Sequence, residues 1–223
     1  MMQDDISIEI QRKNIKNIYI RIRRDKTVLV TAPLSCSQSF IEDFISRKES
    51  WLREHLAQMN DVKTYRYTSG EMHFYLGQSV TLRFFSGERN SGSIGNNRVD
   101  LFLHSSKTDR KKLYESVMKE ALLSVVKELV AAWTPKMQVQ PGEIAVRKMK
   151  SRWGTCHVRT GELCFALDLV TKPIECIEAV VVHEMNHLLE KGHTPRFHAL
   201  MAHWLPDYKE REKRLNLWPK EFV

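Results

Sequence analysis

The chain has 223 residues, 42% hydrophobic and 28% charged, with only 9 Gly and 7 Pro, which supplies a core for one domain or two small ones and excludes disordered, collagen-like and small disulfide-framework classes. The formal charge of +8 is spread along the chain, so basic clusters at Arg12–Lys26 and Arg147–Arg152 read first as solvated faces and only second as polyanion sites. No apolar run nears the roughly 18 residues of a membrane span, and acidic residues stand where a secretory signal would be basic and then apolar, so a soluble cytoplasmic protein with no membrane partner is expected.

Residues 6 to 31 alternate in period two, through Ile6, Ile8 and Ile10, then Ile18, Ile20 and Ile22, then Val28 and Val30. That is the pattern of strands with one covered face, ended by Pro33. Ser39 with Glu42 forms a capping-box signature, and Ile41, Phe44, Ile45, Leu52, His55, Leu56 and Met59 follow at helical spacing, which predicts an amphipathic helix over 39–59. Short strand patterns come next at Tyr65 and Tyr67, Phe74 to Leu76, Val80 to Phe84 and Val99 to Leu103, with residues 86 to 97 read as a turn-rich loop.

The character changes at Thr108, a candidate N-cap with Asp109 in the first turn. Two adjacent stripes, Leu113 to Leu129 and Tyr114 to Val130, each recur every four residues and predict a long, well-buried helix that stops before Pro135. A strand pattern follows around Ile144 to Val146, then a hairpin over 151–169 turning at Thr160-Gly161, then a helix from near Pro173 to Gly192. The cysteines Cys36, Cys156, Cys164 and Cys176 form no C-x-x-C pair and are expected reduced; Cys156 and Cys164 flank the hairpin turn symmetrically, so a disulfide between them is geometrically conceivable. The expected fold class is α+β, with a β-rich N-terminal half (1–105) and a helix-rich C-terminal half (106–223) carrying a small sheet.

Chemistry concentrates at His183-Glu184-Met185-Asn186-His187, an HExxH pattern on an apolar helix. A spacing of four puts His183 and His187 on one face, one turn apart, so both imidazoles can bind one ion. Glu184 is rotated about 100° from His183, out of the ligand set but near a water on the ion, where a general base for hydrolysis belongs. Imidazole nitrogens point to zinc, one per chain, with manganese, cobalt and nickel as alternatives. For the third ligand the candidates are His193, His198 and His203, then Glu210 and Glu212. His193 is preferred, because it falls in the turn between a helix end at Lys191-Gly192 and the N-cap and first residue of a new helix at Thr194-Pro195. The apolar flanks weigh against two histidines that are merely satisfied core groups, since burying them with a glutamate is costly without a metal. Upstream, Lys150, Arg152 and Trp153 run into Gly154, where glycine permits close approach by a backbone or ligand; the bland reading is strand packing, the functional one a cleft rim binding a substrate carboxylate or phosphate.

Taken together, IYIRIRRDKTVLVTAPLS, a helix ending near ESWLREHL, YLGQSVTLRF, KSRWGTC, a stretch ending in LVTKP, and VVHEMNHLLEKGHTPRFHALM resemble the YgjP-like metallohydrolase family of the wider zincin group, over almost the whole chain. The resemblance implies a zinc-binding, peptidase-like catalytic domain, with His183, His187 and His193 at the metal positions and Glu184 as the catalytic glutamate. Some YgjP-like members are described as nucleotide pyrophosphatases acting on UTP, so a peptide and a nucleotide substrate both stay open. The sequence departs from the family at Asn186, where small residues are common, and at His198, where an aromatic is usual; the second departure keeps a ligand swap from His193 to His198 in view. A basic nucleic-acid-associated module with a structural ion is a further alternative, not favoured because it needs a fourth ligand and a contiguous basic face.

Overall fold

The alternating isoleucines and valines of the N-terminal segment form three strands, β1 (Ile8–Lys13), β2 (Tyr19–Ile22) and β3 (Val28–Pro33), in a computed structural model that describes residues 6–23, 26–58 and 65–217. Strand β3 is central, parallel to β1 and antiparallel to β2. Period-two geometry puts Val28, Val30 and Ala32 on one buried face, where Ile41 and Leu52 complete a small core. Those two residues come from separate helices, α1 (Gln38–Ser46) and α2 (Glu49–Gln58), instead of one helix over 39–59. The polar run from Ser46 to Ser50 has no apolar side chain to hold a continuous helix on the sheet, and the chain turns there. The cap is Ser37, whose hydroxyl accepts the Phe40 N–H at 3.2 Å, and not Ser39. Arg24 and Met59 lie outside the described residues.

This first unit spans residues 1–64, and a second spans 65–223. The second opens irregularly, because the Glu71 carboxylate accepts the N–H groups of Arg66 (2.8 Å) and Tyr67 (2.6 Å) that a strand would have offered to a neighbour. The strand expected at Tyr65 and Tyr67 is therefore absent. A four-stranded sheet follows in the order β4 (Met72–Tyr75), β5 (Gln78–Ser86), β7 (Arg98–Leu103), β6 (Ser91–Gly95). Strand β6 occupies the stretch read as a loop. Its Ser and Gly residues carry little strand propensity, but the missing side chain at Gly92 lets it lie close against the next helix, since a Cβ there would come within 2.6 Å of Val117.

That helix, α3 (Arg110–Met137), is capped by Asp109, whose carboxylate accepts the Lys112 N–H at 3.1 Å, and not by Thr108. It buries Tyr114, Met118, Leu122, Val126, Val130, Trp133 and Met137, while the neighbouring stripe is half-buried. It also runs through Pro135. Proline forfeits one backbone bond, yet the buried Trp133 and Met137 hold the last turn on the core, and the Thr134 hydroxyl donates to the Val130 carbonyl at 2.8 Å. Val80, Leu82, Val99 and Leu101 pack in the same core as Tyr114 and Met118, so the β4–β7 sheet belongs with the C-terminal half. The division expected at 105/106 falls inside the second unit, because that sheet finds its covering helix beyond it.

A second sheet, in the order β8 (Ile144–Arg147), β10 (Glu162–Ala166), β9 (Gly154–His157), contains the expected hairpin, with Gly161 at φ +74° in the turn. Cys156 stands opposite Leu163 and Cys164 opposite Thr155, so successive pleats send the two thiols to opposite faces. All four cysteines are free, and the disulfide reading fails on register. Residues Leu167–Thr171 form a 3-10 turn where the hairpin strand was expected to continue, leading into α4 (Ile174–Asn186), α5 (Pro195–Trp204) and α6 (Tyr208–Leu217). The class is α+β. Among the described residues no helix is long and apolar enough to cross a membrane.

Candidate metal centre

Helix α4 is buried along Ala179 to Val182 and delivers His183 and Glu184 from within the core. It closes at Asn186, well before the expected Gly192. The Asn186 carbonyl accepts the N–H groups of Leu189 (3.0 Å) and Glu190 (2.9 Å), and its buried side chain donates to the Phe197 carbonyl at 3.1 Å, a tie to α5 at the point where the helix ends. His187 is thus the C-cap, and its Nδ1 donates to the Glu190 carbonyl at 3.2 Å. A carbonyl only accepts, so that bond puts the proton on Nδ1 and leaves Nε2 with a lone pair.

The returning chain forms the predicted cap, with the Thr194 hydroxyl accepting the Phe197 N–H at 3.2 Å and Pro195 in the first turn. Thr194→Ala is expected to cost about 1 kcal/mol, read as a lower midpoint in denaturant unfolding. An unchanged midpoint would mean that the cap contributes nothing. The turn places His193 Nε2 3.0 Å from His183 Nε2, and one nitrogen from each of His183, His187 and His193 lies within 4.8 Å of the others. Phe197 packs its ring against all three imidazoles, at centroid distances of 4.7–4.9 Å. Burial, reinforced by the neighbouring histidines, pushes His183 down to about 4, and burial also lowers His187. Both are neutral near pH 7 and present lone pairs, the state a metal requires.

Glu184 is 6% exposed, and burial raises its carboxyl to about 7 against the opposing charge of Arg152. The strand β9 presses directly on it: a Cβ at Gly154 would stand 2.6 Å from Glu184 Cγ and 2.7 Å from Oε1. The close approach that glycine was expected to permit is therefore to the glutamate itself. His183, Glu184, His187 and His193 open on a cleft of about 550 Å³. Arg152 and Trp153 line it as well, whereas Lys150 is exposed and takes no part in the wall. Trp153 has the Lys172 ammonium 5.6 Å from its ring centre.

Of the other ligand candidates, His198 stays outside the three-nitrogen cluster, with its ring 6.4 Å from that of His193 and its Nδ1 3.3 Å from the Tyr208 hydroxyl. His203 packs edge-on against Trp204, and Glu212 is an exposed residue of the cleft wall. The sequence reading missed Thr155, Cys156, Lys191 and Tyr208 as wall residues and Phe197 as the ring beneath the histidines. Only Phe197 carried a signal, four residues after His193 at an apolar position of a helix start.

Among curated proteins, the chain is similar to the UTP pyrophosphatase of Escherichia coli (strain K12), 23% identical over 185 residues that make up 83% of this chain and 92% of that protein. Among solved structures it is similar to the metallopeptidase zymogen of Pyrococcus abyssi abylysin, at 19% identity and a TM-score of 0.38, over 40% of this chain and 90% of that one. The zymogen of Methanocaldococcus jannaschii jannalysin matches at 17% and 0.35, over 42% and 85%. The model of the YgjP-like family, metallopeptidase domain, matches residues 16–217, and the chain belongs to that family.

Proposed function

We propose that this protein is a zinc-dependent hydrolase in which His183, His187 and His193 hold the ion and Glu184 is the general base. The observation that carries the reading is the convergence of three imidazole nitrogens within 4.8 Å and a buried carboxylate on one cleft. The donor set fits zinc: three imidazoles, of which burial lowers His183 and His187 and a backbone carbonyl fixes the tautomer of His187, and three ligands where a catalytic site leaves a fourth position open. When bound, the ion supplies Lewis-acid polarisation to the substrate and to the attacking water. Glu184, a buried carboxylate facing the cleft, would take a proton from the attacking water and return it to the leaving group. Arg152, at the wall of the cleft, binds an anionic group of the substrate. A nucleic-acid-binding module with a structural ion would call for a fourth ligand, and the cluster among the described residues has three.

The substrate reading follows the family, a peptide bond. A second reading, nucleoside triphosphate pyrophosphatase, is supported by the Escherichia coli relative, 92% of whose length this chain covers. Zinc-loaded protein incubated with a peptide library and a nucleotide panel separates them: new peptide termini support the first, pyrophosphate released from UTP the second. Metal analysis tests the centre. About one zinc per chain is expected, lost in His193→Ala and kept in His198→Ala; the reverse pattern would make His198 the third ligand.

A further inference from the structure

Tyr208 and His198 are used by nothing described so far. Tyr208 opens α6, is 8% exposed, and still contributes to the wall of the metal cleft. Its helix is anchored to α4, the helix that carries His183 and Glu184. Arg211, one turn along α6, donates to the Glu178 carboxylate at 2.6 Å, to the Glu175 carbonyl at 3.3 Å and to the Asp207 carboxylate at 2.9 Å. Glu178 in turn accepts the Trp133 indole N–H at 3.0 Å, tying the anchor to α3. The Cys176 thiol reaches the Arg211 carbonyl as well. A buried phenol on an anchored helix loses less entropy on binding a ligand than an exposed one would.

The hydroxyl lies 3.3 Å from His198 Nδ1. The tautomer of His198 sets the direction of this contact: with the proton on Nδ1, the imidazole donates to the phenol oxygen. In that arrangement the phenol keeps its own hydrogen for the cleft. His198 sits on α5 next to Phe197, the ring that supports the three histidines, so the phenol is referenced to the same scaffold as the metal cluster.

We propose that Tyr208 is a catalytic residue whose phenol donates a hydrogen bond to the substrate oxygen on which negative charge develops, and that His198 is a positioning residue that aims it. The proposal rests on the hydrolase reading. Hydrolysis by attack of water gathers charge on one oxygen of the carbonyl or phosphoryl centre, and a hydrogen-bond donor already fixed in the cleft wall stabilises that charge without reorganising. Glu184 presses on β9 and Tyr208 comes from α6, so the base and the donor belong to different parts of the wall.

The experiment measures acetohydroxamate affinity for zinc-loaded wild type, Tyr208→Phe, His198→Ala and His198→Asn, with zinc affinity and thermal midpoint measured in parallel. Removing a hydrogen bond to a charged group typically weakens binding by about 10 to 100 fold, so Tyr208→Phe should lose that much hydroxamate affinity while holding zinc and melting as wild type does. His198→Ala should lose several fold, and His198→Asn, whose amide offers an N–H near the place of Nδ1, should recover most of it. Unchanged affinity in Tyr208→Phe overturns the donor, and so does loss of zinc in that variant, since the effect is then structural. Asparagine as weak as alanine overturns the positioning role of His198. Wild-type protein that takes no zinc at the three histidines overturns the hydrolase reading itself.

Discussion

Glu184→Gln is expected to leave zinc bound and the fold intact while lowering turnover by about a hundred to ten thousand fold, the usual worth of a general base. The amide has nearly the same shape as the carboxyl but does not accept the proton. The site favours a clean result: Glu184 is buried at 6% exposure, and an amide of the same shape fits the same space without taking a charge out of water. The loss should appear in kcat more than in KM, because proton abstraction belongs to the transition state. Zinc analysis, circular dichroism and steady-state kinetics on the substrate found by the peptide and nucleotide screen are the measurements. A drop of only a few fold with zinc retained would show that another group is the base, and loss of zinc would make the glutamate structural.

Gly154→Ala is expected to lower turnover by about a hundred fold without touching any ligand of the metal. An alanine Cβ would come 2.6 Å from Glu184 Cγ, 2.7 Å from Oε1 and 2.9 Å from Cδ, all inside any tolerated contact. Neither partner gives way easily. Gly154 is held by its pairing with Phe165 in the hairpin, and Glu184 is packed in the core. The strain therefore divides between a stability loss of about 1–3 kcal/mol, as for other overpacked interiors, and displacement of the carboxylate, where a shift of about 1 Å suffices for a hundredfold effect. Thermal unfolding, zinc analysis and kinetics together decide the matter. Turnover equal to wild type would mean that β9 does not set the position of the base.

The HExxH spacing was legible from the chain because it depends only on helical geometry: residues four apart share a face wherever the helix sits. Thr194-Pro195 and the hairpin turn at Thr160-Gly161 were legible for the same reason, since a cap and a positive φ are satisfied within a few residues. Local signals failed where a distant partner outweighed them. Pro135 should have ended α3, but Trp133 and Met137 are buried in the core and keep the last turn helical. The Ser91–Gly95 segment looked like a loop, yet it pairs with β7 and packs on Val117. Asn186 looked like one more helical residue, and its bond to the Phe197 carbonyl accompanies an early helix end.

The sequence by itself determined the pair His183 and His187, the glutamate beside them, and the turn at His193 that could return to them. Only the tertiary structure decided that His193 and not His198 joins the cluster, that Gly154 fits against Glu184, that Arg152 reaches the cleft while Lys150 does not, and that Tyr208 stands in its wall. The physical reason is the range of the forces involved. Backbone hydrogen bonding and side-chain periodicity are written into neighbouring residues, whereas a contact between elements far apart in the chain exists only once burial of the apolar stripes of α3, α4 and the two sheets has chosen how those elements pack.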